Sequence, residues 1–243
     1  MEIRNFENVE RLNIFAAEKF VGLARDSIAK RGRFTVALSG GSTPKKLYLL
    51  LADEPFRSQI EWPQIHFFFG DERFVPIESE ESNFRMTDDA LFSKVKIPPE
   101  NIHRFLTEDG DAQTVAVAME KEIQKVFQLK PDEFPRFDLV FLGMGTDGHT
   151  ASLFPETEAL KENTRIAVEN YVPRFEAFRL TFTFPTINHA RNIIFLIAGQ
   201  DKAKTLYEVL HGGFQPEKLP SQMIKPVDGD LFILTDINPQ PSR

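Results

Sequence analysis

Apolar and polar positions run along the chain in two rhythms, one of amphipathic helices and one of buried strands. Within residues 8–30, Leu12, Ala16, Phe20 and Leu23 fall four, four and three apart, which places them on one face of a helix that Gly32 ends. Residues 34–38 (FTVAL) then form a short apolar run, the pattern of a strand. The alternation continues, with strands predicted over 65–69, 102–105, 137–142, 165–168, 178–184, 192–198 and 231–235 and helices over 44–52, 88–95, 112–128 and 202–210. Residues 214–229 read as a proline-marked loop. Runs such as 137–142 (FDLVFL) are apolar almost throughout, which suits strands covered on both faces in a parallel sheet. This order predicts an α/β fold with a sheet flanked by helices. No linker, composition shift or internal repeat divides the chain, so a single domain over residues 1–243 is expected.

Ligands of such sheets meet the carboxyl ends of the strands, so the turns that follow strands are where chemistry is expected. The most informative is in residues 137–155, FDLVFLGMGTDGHTASLFP. Gly143, Gly145 and Gly148 let the backbone come near a substrate, and His149 then projects from a rigid edge. A neutral imidazole takes a proton from water near pH 7, and Asp147 either orients the ring, stabilises its charged form or simply holds the turn together. A capping or structural role for His149 is the plainer alternative. The stretch Gly143 to Gly148 also fits GxGxxG, with Glu169 at the distance of a ribose-binding acid. That fingerprint should open a full helix on the first strand, whereas Pro155 follows soon after and the strand is not the first.

Three further turns carry charge or glycine. In Ser39-Gly40-Gly41-Ser42-Thr43-Pro44, the backbone N–H groups of Gly40, Gly41, Ser42 and Thr43 face the positive end of a helix, with Ser42 or Thr43 as its cap. This suits a phosphate, although an ordinary capped turn has the same sequence. It has neither the spacing of a Walker loop nor the frame of a nucleophile elbow. Gly70-Asp71-Glu72-Arg73 follows the strand over 65–69, where Arg73 offers a bidentate fork to phosphate and Asp71 or Glu72 can pair with it or engage substrate hydroxyls. A surface salt bridge is the alternative. Arg179 and Lys202 also sit beside strands and can add positive charge to a pocket.

Composition narrows the partners. A net charge of −7 with scattered basic residues opposes a nucleic-acid surface, so an anionic substrate needs a locally positive pocket. The absence of cysteine from all 243 residues excludes disulfides, thiolate metal sites and a cysteine nucleophile, and an intracellular, cytoplasmic setting is expected. The start, MEIRNFENVERL, is charged, and no apolar run is long enough to cross a bilayer, so no membrane partner is expected. His66, His103, His189 and His211 lack metal-site spacing and are expected to be structural or superficial.

Taken in order, LSGGSTP, GDERFVPIESEESNFRM, FDLVFLGMGTDGHTASLFP, FRLTFTFPTINHA and IAGQDKA resemble the 6-phosphogluconolactonase family across nearly the whole chain. The resemblance implies a modified Rossmann-like, mainly parallel sheet related to glucosamine-6-phosphate deaminases and ribose-5-phosphate isomerases. It implies hydrolysis of 6-phospho-D-glucono-1,5-lactone in the oxidative pentose phosphate pathway, with no metal and no cofactor. By the same resemblance His149 acts as base toward water, Arg73 lies at the substrate, and Arg179 and Lys202 match basic positions assigned to phosphate. The related deaminases resemble IAFNEP after their histidine, where a glutamate supports ring opening. Phe154 takes that glutamate's place here, and GDERF stands where the deaminases resemble LDEY. A noncatalytic sugar-phosphate sensor is the remaining alternative, but no basic DNA-binding module precedes Phe34.

Overall fold

The computed structural model describes residues 1–237. Its strands are β1 (Glu2–Asn5), β2 (Phe34–Leu38), β3 (Ile65–Phe69), β4 (Asp71–Arg73), β5 (Ile102–His103), β6 (Leu139–Leu142), β7 (Ala167–Val172), β8 (Ala177–Phe182), β9 (Asn192–Ile197) and β10 (Asp230–Thr235). The α-helices are α1 (Val9–Arg31), α2 (Ser42–Leu51), α3 (Asn83–Ala90), α4 (Ala112–Phe127), α5 (Phe184–Asn188) and α6 (Ala203–His211). Helix α1 shows how the sequence sets its own limits. The Asn8 side chain accepts from the backbone of Arg11, and Gly32 closes the other end with φ 73°, a left-handed conformation open to glycine. Leu12, Ala16 and Phe20 are buried, as the spacing predicts, while Leu23 is only half-buried and Ala24 takes the next buried position on that face.

Seven strands form one sheet in the order β1-β10-β9-β6-β2-β3-β5, and every ladder in it is parallel. Parallel strands carry helices on both faces, which is why β2 and β6 are buried at every position. From β2 the chain winds outward through β3 to β5, then crosses back to place β6 on the other side of β2. The connections therefore diverge between β2 and β6, and a crevice opens beyond the carboxyl ends of those two strands. A second sheet, β4-β8-β7, is antiparallel and carries the chain past that crevice.

The structure departs from the sequence reading where long-range partners decide. Residues 71–73 are a strand of the second sheet, held by β8, and not a simple turn. The helix expected over 88–95 begins at Asn83 instead, because the Ser82 side chain accepts from Arg85 N–H and the buried Glu72 carboxylate accepts from Asn83 and Phe84 N–H. The charged start of the chain is an edge strand paired with β10. The strand expected over 178–184 stops at Phe182 and gives way to α5. Within 214–229, Pro220–Met223 form a 3₁₀ turn.

Candidate active site

The turn after β6 is built so that an imidazole and a carboxylate meet. Gly145 N–H donates to His149 O at 2.9 Å and Gly148 N–H to Gly145 O at 3.0 Å, folding the chain back on itself. Gly148 takes φ 78°, and its carbonyl receives Ser221 N–H at 2.9 Å and Ser221 Oγ at 2.8 Å, which ties the turn to the segment before β10. At Gly145 a Cβ would stand 2.1 Å from His149 Nδ1 and 2.6 Å from Asp147 Oδ1, so only glycine leaves room for the pair. Asp147 Oδ1 lies 2.5 Å from His149 Nδ1 and 3.2 Å from His149 N. The Nδ1 atom therefore carries the proton it donates to Asp147, and Nε2 keeps a basic lone pair.

Asp147 is engaged through both of its carboxylate oxygens. Burial alone would push its carboxyl up, but the hydrogen bond and charge of His149, a backbone N–H and Arg174 together hold it well below the usual carboxylate range. Its second oxygen is paired with Arg174 Nη1. On the other side of the imidazole lies Phe154, with ring centroids 4.1 Å apart.

His149 shares a pocket of about 260 Å³ with the turn after β2, with Asp71 and Arg73, and with Lys202. The first turn of α2 is left open there. Gly41, with φ 112°, occupies the cap position instead of Ser42 or Thr43, and no side chain caps the helix. The leading N–H groups thus remain free for an anion at the positive helix end. The turn is held from behind by the Tyr48 hydroxyl, which accepts from Ser39 N–H at 3.0 Å and donates to Ser39 O at 2.8 Å. Lys202 follows Gly199, whose φ is 104°, and burial pushes its ammonium pKa down. Among the described residues no carboxylate forms an ion pair with it, and the charges of Asp201 and Asp236 only partly offset that shift.

The remaining expected residues lie one layer back or are partly occupied. Asp71 accepts from Ser152 Oγ at 2.8 Å while still lining the pocket. Glu72 does not pair with Arg73's guanidinium; its carboxylate accepts from Arg73, Asn83 and Phe84 N–H and from Ser82 Oγ, and burial pushes its carboxyl pKa up. Arg179 lies directly across the β4–β8 ladder from Arg73 and over the Phe175 ring at 5.2 Å, but it is not part of the pocket wall. Burial, and then the like charge of Arg73, pull its pKa down. Asn83 was missed by the sequence reading. Its amide donates to Asp71 O at 3.0 Å, and its Oδ1 stands 1.9 Å from where a Gly40 Cβ would be, so it clasps the two turns together. Only the long-range fold brings it there.

A larger cavity of about 460 Å³ lies beside β9, β10 and α6, but its wall is mainly apolar and shares only Met144 with the polar pocket. The polar pocket is the better candidate, because it gathers the titratable and cationic groups at the divergence of β2 and β6. Among the described residues no group of three or more His, Asp or Glu side chains is placed to hold a metal, and no helix is long and apolar enough to cross a membrane.

Residues 7–233 match the model of the family described as glucosamine-6-phosphate isomerases/6-phosphogluconolactonase. The chain is 44% identical over 211 residues to the 6-phosphogluconolactonase of Synechocystis sp., covering 86% of this chain and 85% of that protein. It superposes on the 6-phosphogluconolactonase of Trypanosoma brucei with a TM-score of 0.86 at 30% identity, covering 96% of this chain and 95% of the other. A monomeric glucosamine-6-phosphate deaminase shares the fold, with a TM-score of 0.79 at 20% identity over 97% of each chain.

Proposed function

The chain belongs to the glucosamine-6-phosphate isomerase/6-phosphogluconolactonase family, and from that premise we propose that it is a hydrolase of 6-phospho-D-glucono-1,5-lactone, with His149 as general base. The observation that carries this reading is one pocket holding both a basic imidazole and an uncapped helix start with cations beside it. The phosphate would take the N–H groups of Gly40 to Thr43 together with Lys202, with Arg73 and, behind it, Arg179 adding positive charge. That anchor fixes the lactone carbonyl near a water molecule at His149.

His149 Nε2 removes a proton from the water as its oxygen attacks the carbonyl carbon. Asp147 stabilises the imidazolium that forms, through the Nδ1–H bond already in place. Arg73 or a backbone N–H of the glycine turns meets the developing oxyanion. Collapse of the tetrahedral intermediate breaks the bond to the ring oxygen, which takes the proton back from His149, leaving a neutral imidazole and a carboxylic acid that ionises to the gluconate by releasing its proton to solvent. General-base help supplies about 10²–10⁴-fold and positioning supplies the rest.

Phe154 favours hydrolysis over the deaminase reaction. An apolar ring stands against His149 at 4.1 Å, where the deaminase pattern would put a glutamate, and it can neither relay a proton nor support ring opening. The two activities are separated by supplying enzymatically generated lactone and, in parallel, glucosamine 6-phosphate. Acid release from the lactone above the buffer rate, without ammonia from the aminosugar, is the expected result. Ammonia release with no lactone hydrolysis would reverse the assignment. Cytoplasmic location belongs to the same proposal, since the substrate is a phosphorylated sugar of central metabolism.

A further inference from the structure

We propose that Arg174 is a positioning residue of this site: seated against Phe154 and Phe175, it holds Asp147 in the rotation that keeps the His149 proton on Nδ1 and the lone pair on Nε2. The inference deepens the hydrolytic reading above and rests on it. Asp147 is engaged on two sides, by His149 through Oδ1 at 2.5 Å and by Arg174 Nη1 through Oδ2. A carboxylate held by one hydrogen bond can turn about its terminal torsion, which is broad. One held at both oxygens cannot turn without losing a partner.

The placing of Arg174 is itself built. It sits in the 3₁₀ turn Pro173–Phe175 at the tip of the β7–β8 hairpin, and Glu176 closes that turn in the left-handed region at φ 48°. The guanidinium lies 4.8 Å from the Phe154 centroid and 4.5 Å from that of Phe175. These rings meet edge to face at 5.7 Å, so they form a corner for the cation. Phe154 is the same ring that packs on His149. The base and the cation therefore share one wall, and Arg174 touches neither the pocket nor the reacting atoms. With a side chain 46% exposed, its ion pair alone would stabilise the fold little, which points to geometry as its contribution.

Its charge has a second consequence. A cation on the far oxygen moderates the field that the Asp147 carboxylate sets at the ring. The other charged groups around the pair are Lys204, Glu208 and Lys218, lining the outer cleft beside Asp147, and Asp71, Arg73 and Lys202 across the pocket from His149.

The test compares wild type, Arg174→Gln and Arg174→Lys. In Arg174→Gln, kcat should fall about tenfold or more with KM within about twofold, as for a displaced catalytic group. Arg174→Lys should restore most of the lost turnover. Independently of any turnover, nitrogen NMR of the imidazole should give an Nδ1–H tautomer for wild-type His149 and a mixed or fast-exchanging ring in Arg174→Gln. If wild type and Arg174→Gln share one tautomer and one kcat, Arg174 has no positioning role. If wild type hydrolyses no lactone while the NMR difference persists, the hydrolytic reading fails and the positioning of His149 stands. Equal thermal unfolding of the variants confirms that the comparison concerns the site and not the fold.

Discussion

His149 and Asp147 lie two residues apart, so their meeting depends on a turn tight enough to bring an imidazole back onto a carboxylate. Gly145 is the position that permits it. Gly145→Ala should force the pair apart and lower lactone turnover by about 10²-fold or more, with Lys202 and the α2 start undisturbed and substrate binding nearly retained. Steady-state kinetics with a bound-product titration checks both halves; a wild-type turnover in a folded variant would show that the close pair is not needed. The pair was legible because its two members are sequence neighbours after an apolar strand. The ion pair of Asp147 with Arg174 was not, since it comes from the β7–β8 hairpin 27 residues further along the chain. Asn83 was equally hidden: nothing near it in sequence says that its amide will reach Asp71 or that its Oδ1 will fill the space left by Gly40.

At the scale of elements, the strands of the parallel sheet could be read because burial on both faces leaves short, nearly continuous apolar runs. Elements fixed by distant partners could not. Strand β4 carries the sequence DER and is a strand because β8 pairs with it, and α3 starts five residues before the helix expected over 88–95 because Glu72 and Ser82 satisfy its first N–H groups. The buried Glu72 carboxylate thus joins the strand that carries Asp71 and Arg73 to the helix that carries Asn83. Glu72→Ala would leave those N–H groups without acceptors, and a loss of roughly 3 kcal/mol in unfolding free energy is expected. Glu72→Gln, which keeps an acceptor, should lose less. Denaturant unfolding measures both, and an unchanged midpoint in Glu72→Ala would show that the carboxylate does not hold this junction.

For the whole molecule, acid stability has a source away from the site. On β3 and β5, His103 Nδ1–H donates to Glu122 at 2.9 Å, leaving His103 Nε2 to accept from His66 Nδ1–H at 3.1 Å. Burial, then His103 and Arg33, push His66 down to about 4. The unfolded chain takes up a proton on this histidine below about pH 6.5, while the folded chain does so only near pH 4. Stability present above pH 6.5 is therefore lost as pH falls through that window. Allowing for the partial exposure of His66, the loss is on the order of 1 kcal/mol, and His66→Gln should flatten the fall in unfolding free energy between pH 7 and pH 4. An identical slope in the variant would remove His66 as its cause.

The α/β class and the helices around a parallel sheet followed from the alternation of patterns, and the crevice between β2 and β6 follows from the order in which the strands are laid down. The strand order, the pairing register and the separate β4-β8-β7 sheet emerged only in three dimensions, because pairing partners lie far apart in sequence. The whole account converges on a single imidazole in that crevice. Its most direct test is the rate of lactone hydrolysis, corrected for the spontaneous reaction, by wild type and by His149→Asn at pH 7. The account predicts a large enzymatic rate for wild type and a fall of about 10²-fold or more for a variant that remains folded. A variant that hydrolyses the lactone at the wild-type rate would contradict it.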